Sequence, residues 1–518
     1  MIAALSPETI LTAWLLLPFL AAFLAALLPA LARWLALGCV LATAAIAAAI
    51  GLQAMPATLL LLGPEGVALA PDALAVPFLL LNALVCGAVL LDGWQRPSTG
   101  PFLLLMMVLQ GGLNSAFVSV DLISLYVCLE VVGVSAFLLV LTSRSDRCLW
   151  VGLRYLLIGN TVMTLYLIGA AVIYLQQGSF RFEAVALTSG GGALALLLVG
   201  LFTKSGLFLS GLWLPRTHAE SPAEVSALLS GVVVAGGLCP LVRLMDVVPS
   251  LSAVMVPIGL ASAALGILFA LVETDAKRLL AWSTLSQVGF VVLVPAAAGL
   301  YALAHGLAKA TLFLLARRFP SRQLLGWVSR PLPAAVAWPL WIASLSIVGA
   351  PPLLGYLAKQ QLDEAIAGPT ALVTTVLMVG TAAVYVRLWG TPLSAALPHD
   401  PAAPDAALEQ ARSGASWSAG VVLLLAALLL LTVLLPIAGW GGSASLVGST
   451  ASMADLSSSI LKGAAKTALV LLAALIVHRT LEPLRRLGQL RLPDLERFQD
   501  LVGSVGIVGA SLMVALQP

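Results

Sequence analysis

Long apolar stretches of about 20 residues recur along the whole chain, separated by short segments that hold most of the charge. A helix of that length crosses a ~30 Å hydrocarbon core. Roughly sixteen stretches qualify: 8–28, 31–52, 74–92, 101–119, 121–141, 150–175, 192–214, 223–245, 252–273, 279–298, 299–317, 335–362, 367–391, 416–440, 461–477 and 500–516. Continuous runs predict helices and argue against a β-barrel, whose strands alternate residue by residue. The expected fold class is therefore an all-α polytopic membrane protein. The first run follows MIAALSPETI, which has no basic stretch and no obvious cleavage site, so it reads as a retained helix.

Composition sharpens this reading. Of 518 residues, 61% are hydrophobic and 9% charged, with a mean hydropathy of +1.06. A soluble chain carries about a quarter charged residues, so a soluble globular enzyme, a disordered chain and a nucleic-acid binder are excluded. The net charge of +3 implies no polyanionic partner. The five cysteines are scattered, without a C-x-x-C pair, and the four histidines are dispersed. No dinucleotide fingerprint, P-loop or nucleophile elbow is present. Neither a cofactor nor a metal site is expected.

The basic residues predict an orientation. With the N-terminus outside, only Arg181, Arg243, Lys462 and Lys466 fall on the outer side. Three lysines fall inside spans, and the rest of the 26 Lys+Arg, from Arg33 to Arg497, are cytoplasmic. Both termini then lie outside, and the loop 393–415 and the segment 478–499 lie in the cytoplasm. For LEPLRRLGQLRLPDLERFQ, an interfacial helix and a polar linker fit equally well.

The three lysines inside spans are Lys204, Lys309 and Lys359, and Glu130 lies deep in DLISLYVCLEVVGVSAFLLV. Each ionisable group at a helix centre costs about 2.5–3.5 kcal/mol on insertion scales. One such group is as readily a structural ion pair or a snorkelling lysine. Four in separate, ordered helices point to a proton or ion pathway. Burial disfavours an ammonium and a nearby carboxylate favours it, so movement of Glu130 relative to Lys204 would load and unload a proton. His305 and Lys309 are four residues apart and share one helix face. A single buried histidine is usually hydrogen-bonded core, but beside Lys309 a relay segment is the favoured reading. Lys204 sits in Gly- and Ser-rich LFTKSGLFLSGLWLP, and Lys359 follows Gly349, Pro351, Pro352 and Gly355. Interrupted helices bearing charge in both halves of a chain point to an ion site in an inverted-repeat transporter.

These residues carry a resemblance. From about 101 to 390 the chain resembles the antiporter-like subunits shared by Mrp cation/proton antiporters and respiratory complex I. The blocks occur in order: DLISLYVCLE, RYLLIGN, LFTKSGLFLSGLWLP, HAESPAEVSALLSG, LVETDAKRLLAWSTLSQVGF, AHGLAKATLFL, SIVGAPPLLGYLAK and YVRL. The wording SGLWLP and PLVR is most similar to the D subunit of cyanobacterial-type Mrp systems. The resemblance implies about fourteen shared helices with about two extra at the C-terminus, and two inverted five-helix repeats with broken helices. It divides the chain into N-terminal helices (1–100), a first repeat (101–250), a second repeat (251–392), and a loop with C-terminal helices (393–518). It also implies a charge pair of Glu130 with Lys204, a central relay of His305 and Lys309, and a terminal Lys359. His218 matches a loop histidine near the membrane surface, and Lys277, Ser283, Thr284 and Ser286 are supporting candidates.

Two positions depart from the family pattern. Ala235 stands where many relatives have a lysine, and Leu209, Ser210 and Gly211 stand where many have Pro-Phe-His. The link from Lys204 to Lys309 would then run through water and hydroxyls such as Ser283, Thr284 and Ser286, or the subunit no longer conducts. The implied function is a subunit of a multi-subunit antiporter exchanging external H⁺ for internal Na⁺ or K⁺. The alternatives are a pump module of an NADH or ferredoxin:quinone oxidoreductase, a module of a CO₂ or bicarbonate uptake complex, and a structural subunit with a broken relay. Expected partners are other hydrophobic subunits, in a bacterial plasma or thylakoid membrane. No chemistry of its own is expected, because the polar groups are spread out and not gathered in one cleft.

Overall fold

The computed structural model describes residues 6–53, 58–61, 67–94, 100–329, 332–389, 393–394, 417–437, 453–486 and 492–517. The first helices are α1 (Pro7–Leu27), α2 (Ala32–Gly51), α3 (Ala75–Asp92), α4 (Gly100–Val118), α5 (Leu122–Val140) and α6 (Asp146–Gln177). A hairpin of β1 (Leu59–Leu61) and β2 (Val67–Leu69) joins α2 to α3, with Leu59 opposite Leu69. The middle of the chain forms α7 (Phe182–Leu187), α8 (Gly191–Ser205), α9 (Leu214–Glu220), α10 (Ala223–Leu228), α11 (Val234–Val247), α12 (Ser252–Val272), α13 (Ala276–Val291) and α14 (Pro295–Leu315). Then follow α15 (Gly326–Ser329), α16 (Ala334–Val348), α17 (Leu354–Ala365), α18 (Gly368–Trp389), α19 (Ala419–Ile437), α20 (Met453–Arg486) and α21 (Phe498–Ala515).

Each of the sixteen expected runs coincides with one of these helices or with a pair of them. Among the described residues, twelve helices are long and apolar enough to cross a membrane, or thirteen if the bent pair Gly191–Ser205 and Phe208–Glu220 counts as one span. The shortfall has three causes. Some spans are built from half-helices, Ala334–Val348 and Ala419–Leu435 are apolar but shorter, and α13 has 16 residues. Of LEPLRRLGQLRLPDLERFQ, residues 481–486 continue α20, and 492–497 are irregular up to the start of α21. Residues 487–491 and most of the loop 393–415 lie outside the described residues.

Local chemistry sets the helix ends. Ser6, Asp121, Ser145 and Asp275 are side-chain N-caps of α1, α5, α6 and α13. Asp275 accepts from the backbone of both Lys277 (2.9 Å) and Arg278 (3.1 Å). The two breaks expected around Lys204 and Lys359 occur at glycines with left-handed backbone. Gly206 (φ +72°) ends α8, and Gly349 (φ +95°) ends α16. Between α10 and α11 the chain makes a π-helical turn, Leu229–Val233, a feature frequent at functional sites.

The middle of the bundle is α14 together with α10–α11. α14 packs against α3, α10, α13, α16, α17 and α19. The most apolar windows of these two spans are 94% and 100% buried, against 6% for α20. α1 and α2 expose Leu20, Phe23, Trp34 and Leu41, as lipid- or subunit-facing helices do.

Interhelical loops cluster at two opposite ends. One end joins Arg243 to Asp72 and the backbone N–H of Ala68 to Asp121 Oδ2 (3.1 Å). The other joins Arg216 to Asp494 (2.8 Å), Arg278 to Glu273 (3.2 Å) and Arg322 to Asp275 (2.9 Å). There the linker before α21 is clamped. Glu496, 1% exposed, pairs with Arg278 and with Arg216 (3.5 Å), and its carbonyl accepts from Arg154. Burial pushes the Glu496 carboxyl up, and Arg278 and Arg216 offset only part of that. Breaking a buried pair costs about 3–5 kcal/mol. Arg278 and Arg216 are about one-third exposed, so Glu496→Ala is expected to cost roughly 1–3 kcal/mol. Faster proteolysis in 492–497 and a lower melting temperature of the purified chain would register it.

Candidate functional site

The expected charge pair is in contact. α5 presents Glu130, α8 presents Lys204, and Lys204 Nζ lies 3.4 Å from Glu130 Oε1. Nζ also donates to the Leu129 carbonyl at 3.2 Å. Lys204 is 8% exposed and the Glu130 side chain 25%. The ammonium fits because Gly133 lacks a side chain: a Cβ there would stand 2.8 Å from Nζ. The break after α8 is equally specific. Gly211 packs on the Gly206 carbonyl so closely that a Cβ would lie 2.2 Å from its oxygen. Those breaks place the last turn of α8, with Lys204, inside the bundle next to α11.

Lys309, on α14, is fully buried and held by α13. It donates to Ser283 Oγ and to the Leu280 carbonyl (2.7 Å). Thr284 Oγ1 reaches the same carbonyl (3.1 Å) and shares a hydrogen bond with Ser230 Oγ (2.8 Å) in the π-helical turn. Ser283 also shares a hydrogen bond with Tyr385 OH (3.0 Å), whose ring centroid lies 5.6 Å from Lys309 Nζ. Ser230, Thr284, Ser283, Lys309 and Tyr385 thus form one continuous polar file. No hydrogen bond among the described residues joins Ser230 to Lys204. Ser286, a third candidate for that link, is buried with no partner for its hydroxyl.

His305 lies one turn before Lys309 on α14, and neither of its ring nitrogens has a protein partner. It lines a cavity of about 10 Å³ with Gln287, Tyr301, Ser346 and Lys359. That volume suits a single water. Tyr301 OH donates to Gln287 Oε1 at 2.9 Å, which fixes the polar wall. Lys359 stands on the far side, its Nζ donating to the Val348 carbonyl (3.1 Å) at the broken end of α16. The same lysine lines a second, open cavity of about 330 Å³ with Tyr356, Asp363, Lys462 and Lys466. Lys359 therefore lines both the water-sized cavity and the larger one. A Cβ on Gly349 would meet Lys359 Cδ at 2.7 Å.

The remaining candidates lie elsewhere. His218, on α9, is fully enclosed by protein, its ring stacked on Phe313 at 4.7 Å. Lys277 donates to the Ser221 carbonyl at the end where Arg278 and Arg322 cluster. Ala235 is 2% exposed in α11. Tyr385, Ser230, Gln287 and Tyr301 join the site without having been singled out by the sequence. The first lies in the block YVRL, and its position in an otherwise apolar span is the available signal. Among the described residues no cluster of His, Cys, Asp and Glu is arranged to hold a metal ion.

Known proteins share this architecture. Residues 119–385 match the family described as NADH:quinone oxidoreductase/Mrp antiporter, TM. The chain is 31% identical over 331 residues to the N subunit of the NADH-quinone oxidoreductase of Desulforudis audaxviator. It is 28% identical over 331 residues to the D subunit of the Na(+)/H(+) antiporter of Alkalihalophilus pseudofirmus. Each match covers 57% of this chain and 66% of the relative, just under two thirds of its length. In fold it is similar to a chain of the Mrp complex from Dietzia sp. DQ12-45-1b, with a TM-score of 0.74 and 21% identity, covering 98% of this chain and 60% of that one. A chain of respiratory complex I from Thermus thermophilus gives a TM-score of 0.65 at 26% identity, covering 82% and 98%.

Proposed function

The chain belongs to the NADH:quinone oxidoreductase/Mrp antiporter transmembrane family, and from that premise we propose that it is a proton- and cation-translocating subunit of a multi-subunit Mrp-type antiporter. In this reading it exchanges external H⁺ for internal Na⁺ or K⁺ in a bacterial plasma or thylakoid membrane, with both termini on the outer or lumenal side. Other hydrophobic subunits of the complex are its partners.

One observation carries the reading. Lys204, Lys309 and Lys359, on α8, α14 and α17, are buried, with Glu130 of α5 beside the first; hydrogen bonds gather Ser230, Thr284, Ser283 and Tyr385 around the Leu280 carbonyl and Lys309, and one turn away on α14 a water-sized cavity joins His305 to Lys359. A structural role would not need so many costly charges. In the relay, Glu130 holds the proton on Lys204 in place, and its withdrawal releases it. Lys309 passes a proton to Ser283 directly, and through water to Thr284 on one side or His305 on the other. The water-sized cavity links His305 to Lys359, which exchanges protons with the open cavity. The gap between Ser230 and Lys204, where Ala235 replaces a lysine, is crossed by water.

A second reading, the pump module of a quinone oxidoreductase, uses the same relay and draws support from the 31% identity to an NADH-quinone oxidoreductase chain. The two readings part on partners. Purification of the native complex in mild detergent, with every co-purifying chain identified, is expected to return small hydrophobic subunits and no flavin or iron–sulfur protein. Everted vesicles from the same membranes are then expected to collapse a proton gradient on addition of Na⁺ or K⁺. Peripheral redox subunits would replace the antiporter reading by the pump module.

A further inference from the structure

The open cavity at Lys359 contains a second carboxylate, outside the relay traced so far. Asp363 lies one turn after Lys359 on α17, so the two side chains share a helix face, and both line the cavity. Asp363 is paired with Lys466, which comes from α20, outside the region that matches the family. α20 is seated there by two further contacts. Gly463 lies against the Tyr356 ring, where a Cβ would meet Cε2 at 2.4 Å, and Thr467 Oγ1 donates to the Gly349 carbonyl at 3.2 Å. The C-terminal helix therefore touches the broken end of α16 and the face of α17 that bears Lys359.

This arrangement repeats that of Glu130 and Lys204 with one addition. A carboxylate stands beside a relay lysine, but a third group, the Lys466 ammonium, competes for it. Lys466 is half exposed and the Asp363 side chain 31% exposed, so both reach water in a cavity of about 330 Å³. We propose that Asp363 is the terminal proton site of the relay, exchanging protons between Lys359 and the water of the open cavity, and that Lys466 is a positioning residue that competes with Lys359 for the Asp363 carboxylate. Protonation of Asp363 frees Lys466. Deprotonation restores the pair, and the proton passes to or from Lys359 or cavity water, so charge is conserved in each exchange. The inference rests on the proton-translocating reading above.

Among the described residues, the ionisable groups facing Lys359 and Asp363 are few. α17 itself offers Asp363 and Tyr356, α20 offers Lys462 and Lys466, and α14 offers His305 and Tyr301. The linings contributed by α13, α16 and α18 are not ionisable, and α19 has no ionisable residue in its sequence. Removing the Lys466 charge therefore acts chiefly through Asp363 and Lys359.

The test is proton flux in everted vesicles carrying the full chain in its native complex. Asp363→Asn is expected to slow flux on the order of 100-fold, as loss of a proton-transfer group does. Lys466→Met is expected to keep flux within about threefold at its optimum but to move the pH–flux profile to the alkaline side by about one unit, because one cation no longer opposes protonation. Lys466→Arg should restore the native profile. The double variant Asp363→Asn/Lys466→Met is decisive. A merely structural ion pair tolerates loss of both partners, so native flux in the double variant overturns the proposal, whereas flux as slow as in Asp363→Asn supports it. If Asp363→Asn does not assemble, the profile of Lys466→Met carries the test, and an unmoved profile overturns the assignment. Lys359→Ala separates the two levels. If it is silent, the relay reading fails and takes this inference with it. If it is slow while Asp363→Asn is silent, only this inference fails.

Discussion

Replacing Lys309 by methionine is expected to reduce proton flux by at least about 100-fold while the chain still folds and assembles. Lys309 is fully enclosed, so its ammonium pays desolvation that methionine avoids. The substitution leaves few groups stranded. The Leu280 carbonyl keeps Thr284, and Ser283 keeps Tyr385. What disappears is the proton-accepting group of the file. Lys309→Arg separates charge from proton transfer. A guanidinium keeps the positive charge but does not give up its proton, so this variant is also expected to be inactive. Flux in everted vesicles and melting of the purified complex together check the result. Native flux in Lys309→Met would show that protons bypass α14.

Much of this geometry is legible in the sequence, and the reason is energetic. An apolar run of membrane length announces a helix, and a charge inside such a run announces a cost that some partner must offset. That logic picks out Glu130, Lys204, Lys309 and Lys359. The breaks at Gly206 and Gly349 are legible because glycine and proline mark where a regular helix fails. Neighbours distant in sequence are not legible. Glu496 meets Arg278 across 218 positions, and Lys466 meets Asp363 across 103. Neither contact leaves a local pattern, since a half-exposed lysine or arginine on a helix looks the same with or without an acid from a distant segment beside it. Ser230 escapes notice for a related reason. A Ser or Thr hydroxyl in an apolar helix commonly bonds its own backbone, as Thr311 and Ser344 do here. Only the packing shows that Ser230 and Tyr385 turn to other helices. His218 is a further case: its motif gives its place along the chain, and only the packing shows its ring enclosed against Phe313.

Glu130→Gln is expected to be the most damaging change at the other end of the relay, and it tests whether the pair with Lys204 works or merely holds. The glutamine keeps the shape but removes the charge that offsets Lys204. Losing one partner of a buried pair costs about 3–5 kcal/mol. The Glu130 side chain is one-quarter exposed and Lys204 keeps the Leu129 carbonyl, so the lower part of that range applies. Melting of the complex should therefore fall, and flux should drop on the order of 100-fold. Glu130→Gln/Lys204→Met removes both charges and should recover most of the lost stability, because replacing both partners with groups of similar size is often neutral. It should not recover flux, since no group remains to hold the proton at that point. Recovery of stability without flux assigns the pair to proton transfer. Recovery of both would make it a structural bridge and would leave Lys309, His305 and Lys359 as a relay fed from elsewhere.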